Sequence, residues 1–416
     1  AIKGQIAGPQ GKPAAGTKIT ITHVPSGTTK SATVNDAGIF VAKGLRVGGP
    51  YTVVVDSDKF DDAKIDDIFL TLGETYPMNV ALEAQNNLET IVVTGRALSM
   101  HAGGTGTATH FSANDLKNAP AINRDLKDIV RIDPRISIDE SRSDAISCGG
   151  GSPRFNSLTV DGVRMNDSFG LNDNGYPTTR IPFSYDSIDQ VSVELAPFDV
   201  KYGGFTACNI NAVTKSGTNE LHGSVFVDYT NDSMKGDSIE GDDQDNGSYS
   251  EKRYGFNFGM PLIKDELFIF MSYEKLDGEE LFEYSPFEND QVSQADVDRV
   301  VEISNRVYGY NAGGTPAGLP VEDEKILVKL DWNINEDHRA SFIYNYNDGF
   351  KLSQSDSWAL TLDSHFYESG AEMSSYAAAI NSDWSDNFST EVRVAHTELE
   401  NRQSSLDAAS SFGEVQ

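Results

Sequence analysis

The stretch Glu324-Lys325-Ile326-Leu327-Val328-Lys329-Leu330-Asp331-Trp332-Asn333-Ile334 is separated by Asn335-Glu336-Asp337-His338 from Arg339-Ala340-Ser341-Phe342-Ile343-Tyr344-Asn345-Tyr346-Asn347. In the first run Ile326, Val328, Leu330 and Trp332 alternate with Lys325, Lys329 and Asp331; in the second Phe342, Tyr344 and Tyr346 alternate with Ser341, Asn345 and Asn347. A period of two is the signature of a β-strand with chemically distinct faces. Related segments run over His222–Thr230, Lys252–Pro261, Glu266–Lys275, Ser374–Trp384 and Phe388–Thr397. Each is close to the ~9–11 residues that a tilted strand needs to cross a bilayer.

The connections alternate in length. Leu262–Asp265, Asn335–His338 and Ser385–Asn387 are short, whereas Asn231–Glu251, Leu276–Asp323 and Asp348–Met373 are long and acidic. Short turns on one side and long loops on the other match a transmembrane β-barrel. A soluble antiparallel sandwich also alternates, but its connections need not segregate by length. Tyr229, Tyr254, Tyr273, Trp332, Tyr346 and Trp384 lie near segment ends, where an aromatic girdle would sit. No run approaches the ~18 apolar residues of a membrane helix.

Over 416 residues, 63 Asp and Glu against 33 Lys and Arg give a formal charge of −30. That balance argues against nucleic acid, which requires phosphate-neutralising basic clusters. The seven histidines are scattered. With no G-x-S-x-G, H-E-x-x-H or phosphate loop, nothing supports catalysis. The two cysteines, Cys148 and Cys208, suit one disulfide in an oxidising compartment, with a pair of free thiols as the alternative. Ala1 would make a sensible mature terminus after signal-peptide removal.

Residues 1–83 contain short β-rich runs at Gly4–Ala7, Lys18–Thr22, Gly38–Val41 and Tyr51–Val55, punctuated by turn residues, which predicts a small sandwich. Gly11-Lys12-Pro13-Ala14-Ala15-Gly16, Asp36-Ala37-Gly38-Ile39-Phe40 and Gly49-Pro50-Tyr51-Thr52-Val53 resemble the pattern of the carboxypeptidase regulatory-like domain, with Pro50 a departure. Family members of this kind carry no peptidase chemistry. Residues 84–100 follow as a polar linker leading into Leu88–Arg96, whose β-branched core could add to a partner's sheet edge.

Residues 101–219 read as an α+β unit. Ser112 and Asp115 predict a capped helix ended by Pro120, and Asn123–Val130 predicts a second helix. Asp161-Gly162 within Asn156–Asn166 predicts a tight hairpin, and Ile188–Glu194 an alternating strand. The run Tyr202–Asn219 resembles the closing signature of the plug of TonB-dependent transporters, carried here by Tyr202, Gly203, Asn211, Thr214, Lys215, Ser216 and Gly217. Leu158-Thr159-Val160-Asp161-Gly162-Val163 matches the same family's plug hairpin. Ala207-Cys208 replaces the glycines usual in the signature, and Cys208 could bond Cys148 within the plug. Gly259–Phe270 resembles the second and third barrel strands of the Oar-like subgroup, which also carries a carboxypeptidase-like domain.

The resemblance implies an all-β dominated fold: an N-terminal sandwich, an α+β plug, and in 220–416 the first seven or so strands of a large antiparallel barrel. It implies that Ile91, Val92, Val93, Thr94 and Gly95 form the TonB-coupling strand, with an ordinary edge strand as the competing reading. The implied setting is the outer membrane of a Gram-negative bacterium, with the N-terminal domain and coupling strand in the periplasm. Expected partners are TonB with its ExbB and ExbD motor, outer-membrane lipid and lipopolysaccharide, a large external ligand such as a peptide or glycan, and a surface lipoprotein. The implied activity is uptake or movement of that ligand through a plugged barrel by proton-motive force. A non-transporting adhesive or structural protein of the same architecture is the alternative.

Two loop features complete the reading. Ser293 and Asp296 predict a helix start, with Val297, Val300, Val301 and Val307 as its apolar stripe. Asp242, Asp243 and Asp245 are calcium candidates that fail the EF-hand template, so a solvated acidic loop competes; no other cofactor is expected. Plugged transporters need about 22 strands, so these segments cannot close alone; the expectation is that the chain stops in the fourth outer loop near Gln416, either because it is incomplete or because the polypeptide was cut and the remaining strands lie in another fragment.

Overall fold

A computed structural model describes residues 1–416 except 73, 85–90, 93–106, 122, 140–143, 168, 173, 196–202, 235, 237, 240, 244–248, 281–291, 316–317, 355–361, 386–387 and 406–416. The N-terminal strands are β1 (Ile2–Ala7), β2 (Lys18–His23), β3 (Thr28–Thr33), β4 (Ile39–Ala42), β5 (Gly48–Asp56), β6 (Ala63–Leu70) and β7 (Tyr76–Ala81), followed by the two-residue β8 (Ile91–Val92). They form two sheets, in orders β4-β1-β7 and β3-β2-β5-β6-β8. Alternate residues of β2 and β5, among them Ile19, Ile21, Tyr51, Val53 and Val55, face Ile2, Ile6 and Phe40 across the sandwich. The period-two pattern therefore does here what it does in any soluble sandwich: apolar faces turn inward.

The second unit contains β9 (Thr107–Phe111), α1 (Ala113–Asn118), α2 (Leu126–Val130), β10 (Ile136–Asp139), β11 (Ala145–Cys148), β12 (Ser157–Val160), β13 (Val163–Arg164), β14 (Ile188–Leu195) and β15 (Cys208–Thr214). Its main sheet runs β13-β12-β15-β14-β9, and β10 and β11 form a separate hairpin. Ser112 caps α1 through a reciprocal pair: its hydroxyl accepts from the Asp115 amide at 3.3 Å, and Asp115 accepts from the Ser112 amide at 2.8 Å. The second helix starts later than expected, because Asp125 takes the cap and accepts from the Lys127 amide at 2.9 Å. Leu126, Ile129 and Val130 then pack against Phe183, Val193 and Ile210.

The remaining strands are β16 (His222–Asn231), β17 (Ser238–Ile239), β18 (Asp242–Asp243), β19 (Ser250–Ile263), β20 (Leu267–Glu280), β21 (Leu319–Asn333), β22 (His338–Gln354), β23 (Phe366–Ser385) and β24 (Phe388–Ser405), with α3 (Gln294–Tyr308) between β20 and β21. All but β17 and β18 form one antiparallel sheet in sequence order, β16-β19-β20-β21-β22-β23-β24, which is not closed. Its polarity is the reverse of the sandwich. Lys325, Lys329, Asp331, Asn345 and Asn347 are buried, while Val225 and Val227 are 82% and 72% exposed and Trp332, Ile380 and Val394 also face outward. A sheet that turns its polar parity inward and its apolar parity outward is built for lipid. That finding excludes the soluble sandwich for this half of the chain.

Several expectations change in detail. The strands reach 14 to 20 residues from β19 to β23, longer than a bilayer requires, so part of each expected long loop is strand extension. On α3 only Val297 and Val301 pack, against Tyr310, Ala312 and Leu362, whereas Val300 and Val307 are exposed. The reason is angular: positions 297 and 301 stack one turn apart, while 300 and 307 fall about 100° to the side, where the covering loop does not reach. Among the described residues no helix is long and apolar enough to cross a membrane.

Candidate functional site

The site grows from the β12–β13 hairpin. Asp161 and Gly162 both take positive φ, 48° and 79°, the geometry of the tight turn that an Asp-Gly pair supports. The turn presents the Asp161 carboxylate to the end of β15, where it accepts from the Thr214 amide at 3.2 Å and its hydroxyl at 2.5 Å. From the barrel wall, Lys329 of β21 donates to Asp161 Oδ1 at 3.3 Å and to the Thr214 carbonyl at 2.9 Å. Lys329 and Asp161 are 8% and 9% exposed, so this ion pair is nearly out of water. A Cβ on Gly162 would collide with the Arg393 guanidinium of β24, which places a second wall cation at the same hairpin tip.

Further up the wall, Ser184 of the plug donates to Glu274 at 2.7 Å, Glu274 pairs with Lys325 at 3.4 Å, and Asn345 donates to the Pro182 carbonyl at 3.0 Å. Arg253 donates to the Asn123 carbonyl at 2.5 Å. Phe270, Leu327, Met373 and Ala377 of the wall also join the plug's apolar core. The plug is thus held by a set of polar contacts and by an apolar core that it shares with the wall.

Where the chain leaves the plug, Gly217 passes over the start of the sheet. A Cβ there would lie 2.4 Å from the Ile269 carbonyl and 2.8 Å from that of Met260, so only glycine permits the approach. Asn219 then clasps the turn at Asp265 with two hydrogen bonds of 2.7 and 2.8 Å. Lys215 donates its amide to Ser187, and burial holds its ammonium pKa below the usual lysine value; burial likewise pushes Asp189 upward. Asn211 sits centrally in β15 with a buried side-chain oxygen that has no hydrogen-bond partner. Ser216 lies beside Lys215 on the lining of a cavity of about 1020 Å³ between sandwich, plug and wall, together with Arg46, Asp331 and Arg393.

Cys148 and Cys208 form the disulfide, with Cα atoms 5.9 Å apart, tying β11 to the start of β15. Ile91 and Val92 form β8, parallel to β6 in the register Ala63 to Ile91 and Lys64 to Val92. Their place in the structure is therefore the edge strand given above as the competing reading. Val93, Thr94, Gly95 and Tyr202 lie outside the described residues, as does Asp245. Gly203 is described and has open space around it. Asp242 and Asp243 pair with Ser238 and Ile239 in a small hairpin, and among the described residues no group of three or more His, Cys, Asp or Glu is placed to hold a metal.

Sequence reasoning missed the wall partners and the sandwich contacts. Lys329 carried a readable signal, a cation on the inward parity of a membrane strand, but its partner did not. Arg46 reaches Asn333 at 3.1 Å and Asp331 at 3.9 Å, and lies over the Phe268 ring. Lys30 pairs with Asp337 at 3.6 Å and with Asp383. Gln190 of β14 bonds the Leu70 carbonyl at 3.2 Å and the Leu72 amide at 3.3 Å, and His110 lies 3.2 Å from Glu74. At this junction His23 is buried beside Arg46 and Arg339, which with desolvation lowers its pKa to about 3. The sandwich is thereby seated on both the plug and the short turns of the sheet.

Three family models match in chain order: the carboxypeptidase regulatory-like domain over residues 1–83, the TonB-dependent receptor plug domain over 103–208, and an outer membrane β-barrel domain over 213–281. The TonB-dependent transporter Oar of Myxococcus xanthus is 23% identical over 71% of this chain and 28% of its own length. A probable TonB-dependent siderophore receptor, PirA of Acinetobacter baumannii, is 31% identical over 47% of this chain and 26% of its own length. The chain therefore spans about a quarter of the length of these relatives. In fold it is similar to the outer membrane transporter YddB of Escherichia coli, at a TM-score of 0.53 and 15% identity, over 70% of this chain and 38% of that one. Regulatory-like sandwich, TonB-dependent receptor plug and outer-membrane β-barrel sheet, in this order and with these matches, make the chain a homologue of the TonB-dependent transporter Oar and indicate the Gram-negative outer membrane.

Proposed function

We propose that this protein moves a large ligand, of the size of a peptide or glycan, through a plugged barrel, driven by the inner-membrane proton gradient. The ligand binds the long loops and the outward face of the plug. The signal frees the segment Ile91–Gly95 in the periplasm, TonB pairs with it by strand addition, and tension relayed from ExbB and ExbD remodels the plug. The observation that carries this reading is the seating of the plug. Its hairpin is locked to the wall by Asp161, Thr214 and Lys329 beside a cavity of about 1020 Å³. A polar latch of this kind, set beside the apolar contacts of Phe270, Leu327, Met373 and Ala377, is a joint that a directed force can open.

The test is energy coupling. Replacing Val92 and Val93 together by proline removes backbone donors from the pairing strand. Uptake of a ligand, or growth that depends on it, should be lost while the protein remains at normal levels in the outer membrane. Transport that survives the double replacement would refute the coupling assignment.

A further inference from the structure

The first two residues of the proposed coupling segment, Ile91 and Val92, are docked. Ile91 and Val92 form the fifth, edge strand of the larger sandwich sheet, and β6 is the strand they cover. Without β8, the β6 edge would present unpaired amide and carbonyl groups to solvent, the situation that invites strand addition. We infer that the β6 edge is a docking site for the chain's own coupling strand, and that TonB must compete with β6 for that strand. The inference rests on the reading of Ile91–Gly95 as the TonB-coupling segment.

Three observations support it. Among the described residues the pairing covers two register positions, Ala63 with Ile91 and Lys64 with Val92, and these are rungs that a partner strand must displace. Docking is also fixed in place, because the sandwich does not hang freely: Arg46 and Lys30 pin it to the turns of the sheet. Finally, β6 reaches the plug with its other end, where Gln190 of β14 bonds the Leu70 carbonyl and the Leu72 amide. One strand thus touches the coupling segment at Ala63–Lys64 and the plug at Leu70. A displacement of β14 in the plug can alter how β6 holds β8, which gives a route from an occupied plug to a released strand. Force on β8 cannot lift it away until the β6 ladder parts.

The experiment measures capture of the intact receptor, in detergent, by the purified periplasmic domain of TonB. The variant Lys64→Cys with Val92→Cys puts cysteines at register partners, a spacing that a disulfide can span. Both native cysteines are already paired and buried, so they do not interfere. Oxidation should lock the strand on β6 and lower capture at least tenfold, and mild reduction should restore it. Lys64→Pro, which spoils the β6 edge, should raise capture severalfold. A Val92→Pro control should lose capture. If the oxidised variant is captured like the parent while Val92→Pro is not, the docking inference is overturned and the coupling assignment stands. If Val92→Pro is captured normally, the coupling assignment itself falls, and the competition with it.

Discussion

Lys329 on the barrel wall and Asp161 at the tip of the plug hairpin form a nearly buried ion pair at 3.3 Å, and the same ammonium holds the Thr214 carbonyl at 2.9 Å. Removing one partner of a buried pair strands the other charge, at a cost of about 3–5 kcal/mol. Lys329→Met should therefore loosen the plug. Cells carrying it should admit large antibiotics, and the purified protein should show channel openings in planar bilayers. Adding Asp161→Asn should recover part of the loss, since no charge is then left unpaired. Permeability unchanged by Lys329→Met would contradict the latch.

Cross-linking across 60 residues of sequence places a large loop under constraint. Loop-closure reasoning assigns such a bond about 4 kcal/mol. Replacing both Cys148 and Cys208 by serine should lower the plug's resistance to denaturant and expose it to protease, while the barrel sheet stays protected. An unchanged denaturation midpoint would show that the bond is dispensable.

Two glycines of the plug signature should behave oppositely. At Gly217 a side chain would meet strand carbonyls at 2.4 and 2.8 Å, so Gly217→Val should block insertion, read as loss of the heat-modifiable band on a gel. At Gly203 nothing lies within 4 Å, and Gly203→Ala should leave insertion unchanged.

His23 makes the sandwich junction sensitive to acid. Its folded pKa of about 3 lies below the ordinary value of 6.5, through burial and the neighbouring Arg46 and Arg339. The unfolded chain therefore takes up this proton first as pH falls. The stability that the neutral ring contributes is complete above pH 6.5 and is lost progressively between 6.5 and 3. Thermal melts of the sandwich across that window should show the decline, and His23→Gln should flatten it. A parallel decline in His23→Gln would assign the effect to other groups.

Much of this molecule was legible because its signals are local. The period of two in Glu324–Ile334 requires a strand whatever surrounds it, and Asp161-Gly162 requires a turn because both residues tolerate positive φ. Ser112 with Asp115 was enough to mark a helix start. The start of α2 was misplaced because Asn123, Arg124 and Asp125 are all plausible residues ahead of a helix, and only packing selects Asp125: the Tyr176 hydroxyl donates to its carboxylate at 3.0 Å. The stripe on α3 was overextended for a similar reason, since periodicity shows which residues share a side but not how wide the covering surface is.

By itself the sequence determined the order of the units, the strands of the sheet, the hairpin and the polarity that turns apolar residues to lipid, because each follows from residue type and spacing along a short segment. Only the tertiary structure decided that Lys329 meets Asp161 across 168 positions of sequence, that Arg46 seats the sandwich on Asn333, and that Ile91 and Val92 lie along β6. These are pairings between distant segments. Many cations could have met that carboxylate and many edges could have received that strand; the choice is made by the shape into which the whole chain packs.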